Sequence, residues 1–179
     1  MRAGEMKVGV IYDPFRDELF TAVRGHGAEI NGRPLQASSS SALRDAWVAS
    51  EPTGDPRLAR PSLRALYALS PPTTLGLQVP GCAALGLAWV ACGRLDAIFS
   101  LGIPTASGSK SLPAEQHASE LSARSAGVLL VREAGGIATD CYGGKLLADG
   151  PLCVANGVEV HRELLEVLEQ SGTLGPDAV

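Results

Sequence analysis

The chain has 179 residues, of which 45% are hydrophobic and 19% are charged, with a formal net charge of −4. This composition is typical of a globular protein rather than a disordered one, and the length allows one domain or a small pair. The acidic balance argues against a nucleic-acid partner, and no apolar run reaches the roughly 18 residues that a membrane span requires.

The first part of the chain predicts an antiparallel meander. Enrichment in Val and Ile with a rough period of two predicts strands at residues 6–12, 18–24 and 28–30. Asp13-Pro14 and Asn31-Gly32 are turn signals between and after them. We assign residues 1–37 to this sheet.

From residue 42 to residue 170, predicted strands alternate with predicted helices. The strands are expected at 46–50, 74–79, 96–99, 137–139 and 153–155, and the helices at 62–69, 82–92, up to 134, and 160–169. Alternation of this kind predicts an α/β unit with a largely parallel or mixed sheet.

Two segments do not fit the alternation. Residues 103–122 are small and polar and contain two prolines, which predicts an irregular insertion whose first half is a flexible loop. Residues 171–179 are expected to form a flexible tail.

The cysteines indicate a reducing compartment. The chain has four cysteines, Cys82, Cys92, Cys141 and Cys153. None of them has a C-x-x-C spacing, and three of the four lie in apolar contexts. We interpret them as reduced, mostly buried thiols rather than as disulfides or a metal site, which favours a cytoplasmic location.

Three stretches, in this order and spacing, resemble the inositol monophosphatase family of Mg²⁺-dependent phosphomonoesterases. They are Gly9 to Pro14 with Glu18 to Gly25 and Asn31-Gly-Arg-Pro34, then Gly81-Cys-Ala-Ala-Leu85 to Gly93-Arg-Leu-Asp-Ala97, and Arg132-Glu-Ala-Gly-Gly136. The resemblance covers roughly residues 5–100 and 123–170. It implies a layered α/β sugar-phosphatase-like fold, here truncated, in which residues 1–37 are the remnant of the N-terminal domain's sheet and residues 42–170 form the C-terminal domain.

The family holds Mg²⁺ with a Glu on an early helix, a D-P-x-D-G-T turn and an Asp in a late W-D motif. Several carboxylate oxygens suit this hard cation. The resemblance begins downstream of the first two elements, so we expect the N-terminal metal-binding segment to be absent. Asp13-Pro-Phe-Arg-Asp17 is no substitute, because its second Asp comes one position late and Gly-Thr does not follow. We predict a hairpin turn capped by Asp13 there.

The late Asp of the family is also missing. Counting from Gly102 places it at Ser107, and counting back from Gly127 places it at Ala123. The nearby carboxylates, Glu115 and Glu120, are weak alternatives. We therefore expect no catalytic residue, no metal ligand and no bound Mg²⁺.

The resemblance leaves one candidate substrate-binding element, Gly81-Cys82-Ala83-Ala84. Its start-of-helix amide groups would point outward with the positive end of the dipole. The family uses the matching segment to contact inositol hydroxyls, whereas Ser100 replaces a Glu that many members use for substrate. Alternatively, the small residues let the helix pack closely on the sheet, and both readings stay open.

The remaining candidates for chemistry are the histidines. His26, His117 and His161 are scattered, without an acid or a nucleophile at a supporting spacing, so we predict that they are solvated.

Several functions therefore remain open. The first is an inositol monophosphatase-type phosphatase that is impaired or inactive, or a sister phosphatase acting on a sugar or nucleotide phosphate. The second is a non-enzymatic pseudophosphatase or interaction fragment, and the third an incomplete splice product. Uncovered strands carrying Val8, Val10 and Tyr12 predict a homo-oligomer or association with a full-length family member. Inositol phosphate is the expected ligand, and neither nucleic acid nor membrane is expected as a partner.

Overall fold

The computed structural model describes residues 6–51, 56–102, 114–147 and 149–174. Within them the strands are β1 (Val8–Asp13), β2 (Glu18–Val23), β3 (Gly27–Ile30), β4 (Arg33–Pro34), β5 (Trp47–Ser50), β6 (Gly76–Gln78), β7 (Ala97–Ser100), β8 (Ile137–Thr139) and β9 (Leu152–Ala155). The helices are α1 (Pro56–Ala68), α2 (Ala83–Ala91), α3 (Ala114–Glu133) and α4 (Val158–Gln170), and Leu43–Asp45 forms a short 3₁₀ turn.

The N-terminal sheet is an antiparallel meander in the order β1-β2-β3-β4, as predicted. Its first turn is capped by the buried Asp13, whose Oδ1 accepts the N–H groups of Phe15 at 3.0 Å and Arg16 at 3.4 Å. At the turn between β3 and β4 the side chain of Asn31 accepts the Leu19 N–H at 2.7 Å and donates to the Asp17 carbonyl at 2.9 Å. Side chain-to-backbone bonds of this kind stabilise tight turns, which explains why the turn signals were reliable.

The C-terminal sheet is mixed, in the order β6-β5-β7-β9-β8. Strand β5 runs parallel to β6 and β7, whereas β9 is antiparallel to β7 and β8. Helices α1 and α2 follow β5 and β6, so the predicted α/β alternation is confirmed.

The elements stack in four layers. Helices α2 and α3 lie between the sheets, where a core joins Ile11 and Phe20 to Leu87, Leu130 and Ile98. On the other face of the C-terminal sheet, α1 and α4 bury a second core, made of residues such as Val48, Ala65, Phe99, Leu164 and Leu168. The outer face of the N-terminal sheet has no such cover among the described residues.

The structure corrects two expectations about irregular segments. Residues 114–122 belong to α3 rather than to an irregular insertion, because good helix formers, among them Ala114, Glu115 and Gln116, follow the second proline in the sequence. Residues 103–113 lie outside the described part. Of the expected tail, residues 171–174 form a turn in which Thr173 is buried and contacts the Pro61 carbonyl at 3.5 Å. Residues 175–179 are not described.

The four cysteines are free. Cys141 and Cys153 are buried, Cys92 is half-buried and Cys82 is exposed, so the expectation of mostly buried thiols holds except at Cys82. Burial raises the pKa of the Cys141 thiol to about 12, which makes it unreactive near neutral pH. Among the described helices, none has both the length and the apolar character needed to cross a bilayer.

Candidate functional site

The four predicted substrate-binding residues lie together at the start of α2, just beyond the carboxyl end of β6. Gly81 has φ +73° and Cys82 is extended, and no side chain caps the helix at Cys82. The first intrahelical bond runs from the Gly86 N–H to the Cys82 carbonyl at 3.0 Å. The amide groups of the first turn therefore lack intrahelical partners. Gly81 and Cys82 are exposed, and Ala83 and Ala84 are half-buried, so a ligand can reach this turn.

Close packing explains other glycines better than it explains Gly81, whereas Ala84 packs against the core between the sheets. A Cβ on Gly86 would lie 2.5 Å from Ile98 Cδ1, and one on Gly127 would lie 2.5 Å from Leu87 Cβ. A Cβ on Gly81 would meet nothing within 4 Å. The glycine at position 81 is instead favoured by its left-handed backbone, which leads the chain into the exposed helix start.

A second polar cluster lies where β5 and β7 end. The N–H of Glu51 continues the ladder by donating to the Phe99 carbonyl at 3.2 Å, and the Glu51 carboxyl group lies near Ser100 and Arg124. Burial raises the pKa of Glu51, although the Arg124 charge and a hydrogen bond with Ser100 oppose this. Arg124 is 3% exposed, donates from Nη2 to the Gly150 carbonyl at 3.0 Å, and has its pKa lowered by burial.

Sequence reasoning missed both charged members of this cluster. A usable signal existed for Glu51, because it directly follows a buried parallel strand, and ligand sites in α/β sheets gather at the carboxyl ends of such strands. No comparable signal marked Arg124, which lies on α3 beside a predicted apolar run. Its Nη1 and the Oε1 of Glu51 are buried without a hydrogen-bond partner among the described residues.

The described residues do not fit a magnesium ion. They contain no group of three or more His, Cys, Asp or Glu side chains placed to hold a metal. At the carboxyl edge of the sheet Glu51 has a raised pKa, and the Arg124 guanidinium beside it disfavours a further cation. Of the other candidate positions, Ala123 is a half-buried residue of α3 and Ser107 lies outside the described residues.

The remaining carboxylates add little to this edge. Glu120 is a half-buried residue of α3 that also raises the pKa of Glu51, whereas the side chain of Glu115 is not described. Two carboxyl groups beside one guanidinium do not form the oxygen-rich octahedral shell that Mg²⁺ requires.

The expectation for His161 was wrong. This side chain is 8% exposed on the inner face of α4, and its Nε2 lies 2.9 Å from Thr139 Oγ1. Burial lowers the pKa of His161, because the charged imidazolium loses its hydration. His26 is exposed as predicted, and the side chain of His117 is not described.

Comparison with known proteins decides the family. The sequence profile of the inositol monophosphatase family matches residues 1–173. The chain belongs to the inositol monophosphatase family. An inositol-1-monophosphatase of Mesorhizobium japonicum is 34% identical over 176 residues, covering 94% of this chain and 58% of that protein. The Nus factor SuhB of Escherichia coli is 38% identical over 149 residues, covering 79% of this chain and 47% of that protein.

Two solved structures have the same fold over the part of their chains that they share with this one. An inositol monophosphatase from Anabaena superposes with a TM-score of 0.77 at 35% identity, covering 92% of this chain and 59% of the other. The extragenic suppressor protein SuhB from Bartonella henselae gives a TM-score of 0.78 at 32% identity, covering 93% of this chain and 59% of the other. The family resemblance and the layered fold are thus confirmed, and the chain spans about half the length of the curated relatives it matches.

Proposed function

We propose that this chain contributes a ligand-contacting element of an inositol monophosphatase-type fold and does not by itself hydrolyse inositol monophosphate at an enzymatic rate. In this proposal the start of α2, at Gly81 to Ala84, contacts the hydroxyl groups of a phosphorylated polyol such as inositol phosphate. The observation that carries it is the exposed, uncapped first turn of α2 beyond the carboxyl end of β6. Such a turn offers oriented N–H donors and a partial positive charge.

The proposed lack of hydrolysis follows from the chemistry of the described side chains. Phosphate ester cleavage in a magnesium-dependent enzyme draws on the ion for water activation and for neutralising charge on the phosphoryl group. The described residues offer no suitable set of donors, and burial raises the pKa of Glu51, the carboxylate that follows β5.

Two measurements on the full chain test the two halves of this proposal. In the first, inositol 1-phosphate is incubated with millimolar Mg²⁺ and phosphate release is followed with and without EDTA. We expect no turnover above background. Turnover at an ordinary enzymatic rate that EDTA abolishes would contradict the first half.

In the second measurement, inositol 1-phosphate is titrated into the chain and into Cys82→Asp, followed by heteronuclear NMR. An Asp at the N-cap accepts the amide groups of its own first turn and adds negative charge, so it should stabilise α2 while displacing the ligand. Gly157→Asp is the matched control, because Gly157 is the N-cap of α4 and also lacks a side-chain cap. It should raise stability equally and leave binding intact. Equal binding by both variants would refute the contact at α2.

A non-enzymatic interaction module is the second candidate. It is supported by the uncovered outer face of the N-terminal sheet, where Val8 and Val10 are each 55% exposed. It is also supported by the relative named Nus factor SuhB, a name that describes no hydrolysis. In this reading the chain associates with a second copy or with a full-length family member, and association without turnover would favour it. Turnover of a nucleotide phosphate or fructose bisphosphate, but not of inositol phosphate, would favour a sister phosphatase.

A further inference from the structure

The two edges of the N-terminal sheet are built differently. One edge is β4, which has only two residues, and one of them is a proline without an N–H for a further strand. The other edge is β1, which has six residues and no proline, and its residues from Val8 to Tyr12 carry no charge. Short length, proline and charge are the usual ways of blocking an edge strand. The β4 edge is therefore blocked, whereas the β1 edge is not.

The hydrogen bonds of β1 show which of its main-chain groups face outward. The Arg24 N–H donates to the Lys7 carbonyl at 3.0 Å, in the register that places Val8 opposite Val23. Antiparallel neighbours alternate between hydrogen-bonded and non-hydrogen-bonded pairs, so every second residue, counted from Lys7, bonds to β2. The residues between them direct their N–H and C=O groups away from β2. These residues are Val8, Val10 and Tyr12.

The outward groups of β1 have no main-chain partner in the part of the chain that the structure describes. There, β1 pairs with β2 alone, and no main-chain bond outside the sheet ladders involves Val8, Val10 or Tyr12. The side chains of the same three residues lie on the outer face of the sheet, and each is more than half exposed. Unpaired main-chain groups beside exposed apolar side chains are a template for another strand.

We propose that β1 pairs antiparallel with β1 of a second copy of this chain, about a two-fold axis at Val10. Only residues with outward groups can exchange hydrogen bonds across such an edge. The register therefore sets Val10 opposite Val10 of the second copy and Val8 opposite its Tyr12. A shift of two residues would place Val8 or Tyr12 opposite a residue outside β1, so this register makes the fullest use of the strand.

The side chains of β1 suit this pairing. On the outer face it brings together two valines at the axis and a valine with a tyrosine on either side, and β-branched and aromatic residues form favourable cross-strand pairs. The outer edges of the joined sheet would be the two blocked β4 strands, so the assembly closes at two copies. Strands of this length bury less surface than a standard interface, so we expect a dissociation constant on the order of micromolar.

The pairing gives a strand, a register and a stoichiometry to the association named as the second candidate function. It rests on that association and not on the ligand contact proposed at α2.

Sedimentation equilibrium of the full chain, from about 1 to 100 μM, tests the pairing. Val10 is 55% exposed, so a charge at this position stays hydrated in the monomer. In the dimer two like charges would face each other at the axis, so Val10→Lys and Val10→Glu should each weaken association by roughly fivefold to tenfold. Mixing the two variants should restore association, because the mixed dimer sets opposite charges against each other.

Val23→Lys is the matched control. Val23 lies on the same outer face, is 42% exposed, and belongs to β2, so β1 separates it from the second copy. The variant adds the same charge to the same face and should change the dissociation constant by less than about twofold.

Val10→Pro tests the main-chain bonds themselves. It removes an N–H that points outward, so the bonds between β1 and β2 remain and the monomer should keep its circular dichroism spectrum. Each copy loses one bond at the axis, so association should weaken by about thirtyfold or more.

The outcomes distinguish the pairing from association in general. Dissociation in both charged variants and re-formation in their mixture support the pairing. Equal association of the unmodified chain, Val10→Lys and Val10→Pro overturns the pairing through β1 and leaves the second candidate function standing. An unmodified chain and a mixture that both stay monomeric overturn the two together. Where the unmodified chain is poorly soluble, a mixture that stays monomeric overturns the pairing by itself.

Discussion

The two sheets of this protein differ in how they are covered. Every residue of β7 and β9 in the C-terminal sheet is buried, because helices pack on both of its faces. In the N-terminal sheet only the inner face is buried, and on the outer face Val8, Val10 and Tyr12 are each more than half exposed.

The sequence of β1 and the exposure of its outer face do not match. In β1 the outward Val8, Val10 and Tyr12 are as apolar or aromatic as the inward Ile11. A sheet with one face in water normally alternates apolar and polar residues. The β1 sequence therefore suits a strand covered on both faces, and the predictions below ask how far the two sheets differ in energy.

The largest loss of stability is expected from truncating a buried side chain of the C-terminal sheet. Phe99 is fully buried on β7, so Phe99→Ala should lower the free energy of unfolding by about 3–5 kcal/mol. Val10→Ala, on the outer face of β1, should cost less than about 0.5 kcal/mol. Urea unfolding followed by circular dichroism measures both. Similar losses in the two variants would mean that the outer face is covered in solution.

The next effect concerns the layer that joins the two sheets. Gly127 lets α3 approach α2, and an added Cβ would lie 2.5 Å from the Cβ of the buried Leu87, which cannot move aside. Gly127→Ala should therefore destabilise the fold by about 1–3 kcal/mol, even though alanine is the better helix former.

Ser122→Ala on the exposed side of the same helix is the matched control. It should be neutral or slightly stabilising, because it gains helix propensity without meeting any neighbour. Both midpoints come from the same denaturant titration. A stabilised Gly127→Ala would show that the helices can separate without loss.

His161, which is buried between α4 and the C-terminal sheet, should give a smaller effect on stability that depends on pH. Burial holds the pKa of His161 below its usual 6.5, so below that pH the unfolded chain binds more protons at this site than the folded chain does. Stability due to His161 is therefore complete above about pH 6.5 and is lost as pH falls through the lowered pKa. The side chain of Glu51, with its raised pKa, acts in the opposite direction, since its contribution to stability grows as pH falls.

The variant His161→Gln distinguishes the contribution of His161 to stability from that of Glu51. It keeps a polar side chain near Thr139 but cannot titrate, while Glu51 stays unchanged. The stability of the unmodified chain relative to this variant should decrease between about pH 7.5 and 5.5 in chemical denaturation. A constant difference across that range would mean that His161 titrates normally.

The contrast between the sheets also explains what the sequence could predict. Local signals placed the meander and its turns, because Asp13 and Asn31 form their bonds within a few residues or across one hairpin. The alternation of strands and helices predicted the C-terminal sheet, because each of these elements also shows a local sequence pattern. The sequence analysis missed the start of α3, because the two prolines in residues 103–122 indicated a loop. The helix formers that follow the second proline in fact form the first turns of α3.

The candidate site was harder to predict than the fold. Gly81 to Ala84 are contiguous, so a family motif could locate them. Glu51 follows β5 and Arg124 lies on α3, so only the tertiary fold brings them together, and no periodicity links positions so far apart. His161 was misjudged for a related reason, because its burial depends on which face α4 turns toward the C-terminal sheet.

The smallest change in stability, and the most direct test of the comparison, concerns the outer face of the N-terminal sheet. We consider a triple variant in which Val8, Val10 and Leu19 are replaced by Thr, which is β-branched and suits a strand but has less apolar surface. The free energy of unfolding should change by less than about 1 kcal/mol. An apolar face beside an unpaired strand edge promotes association. We therefore expect the unmodified chain to elute larger than a monomer, or to be poorly soluble, and the triple variant to shift toward the monomer.

Tyr67→Ser is the matched control for that shift. Tyr67 is 86% exposed on α1, far from the N-terminal sheet in sequence, and its loss removes a comparable amount of apolar surface from the other side of the fold. If association depends on the outer face, this variant should elute as the unmodified chain does, because general surface hydrophobicity is not the cause. An unmodified chain that elutes as a compact monomer with a cooperative thermal transition would contradict the expectation. The outer face of β1 would then be stable in water. The N-terminal sheet would, like the C-terminal sheet, need no second chain to cover it.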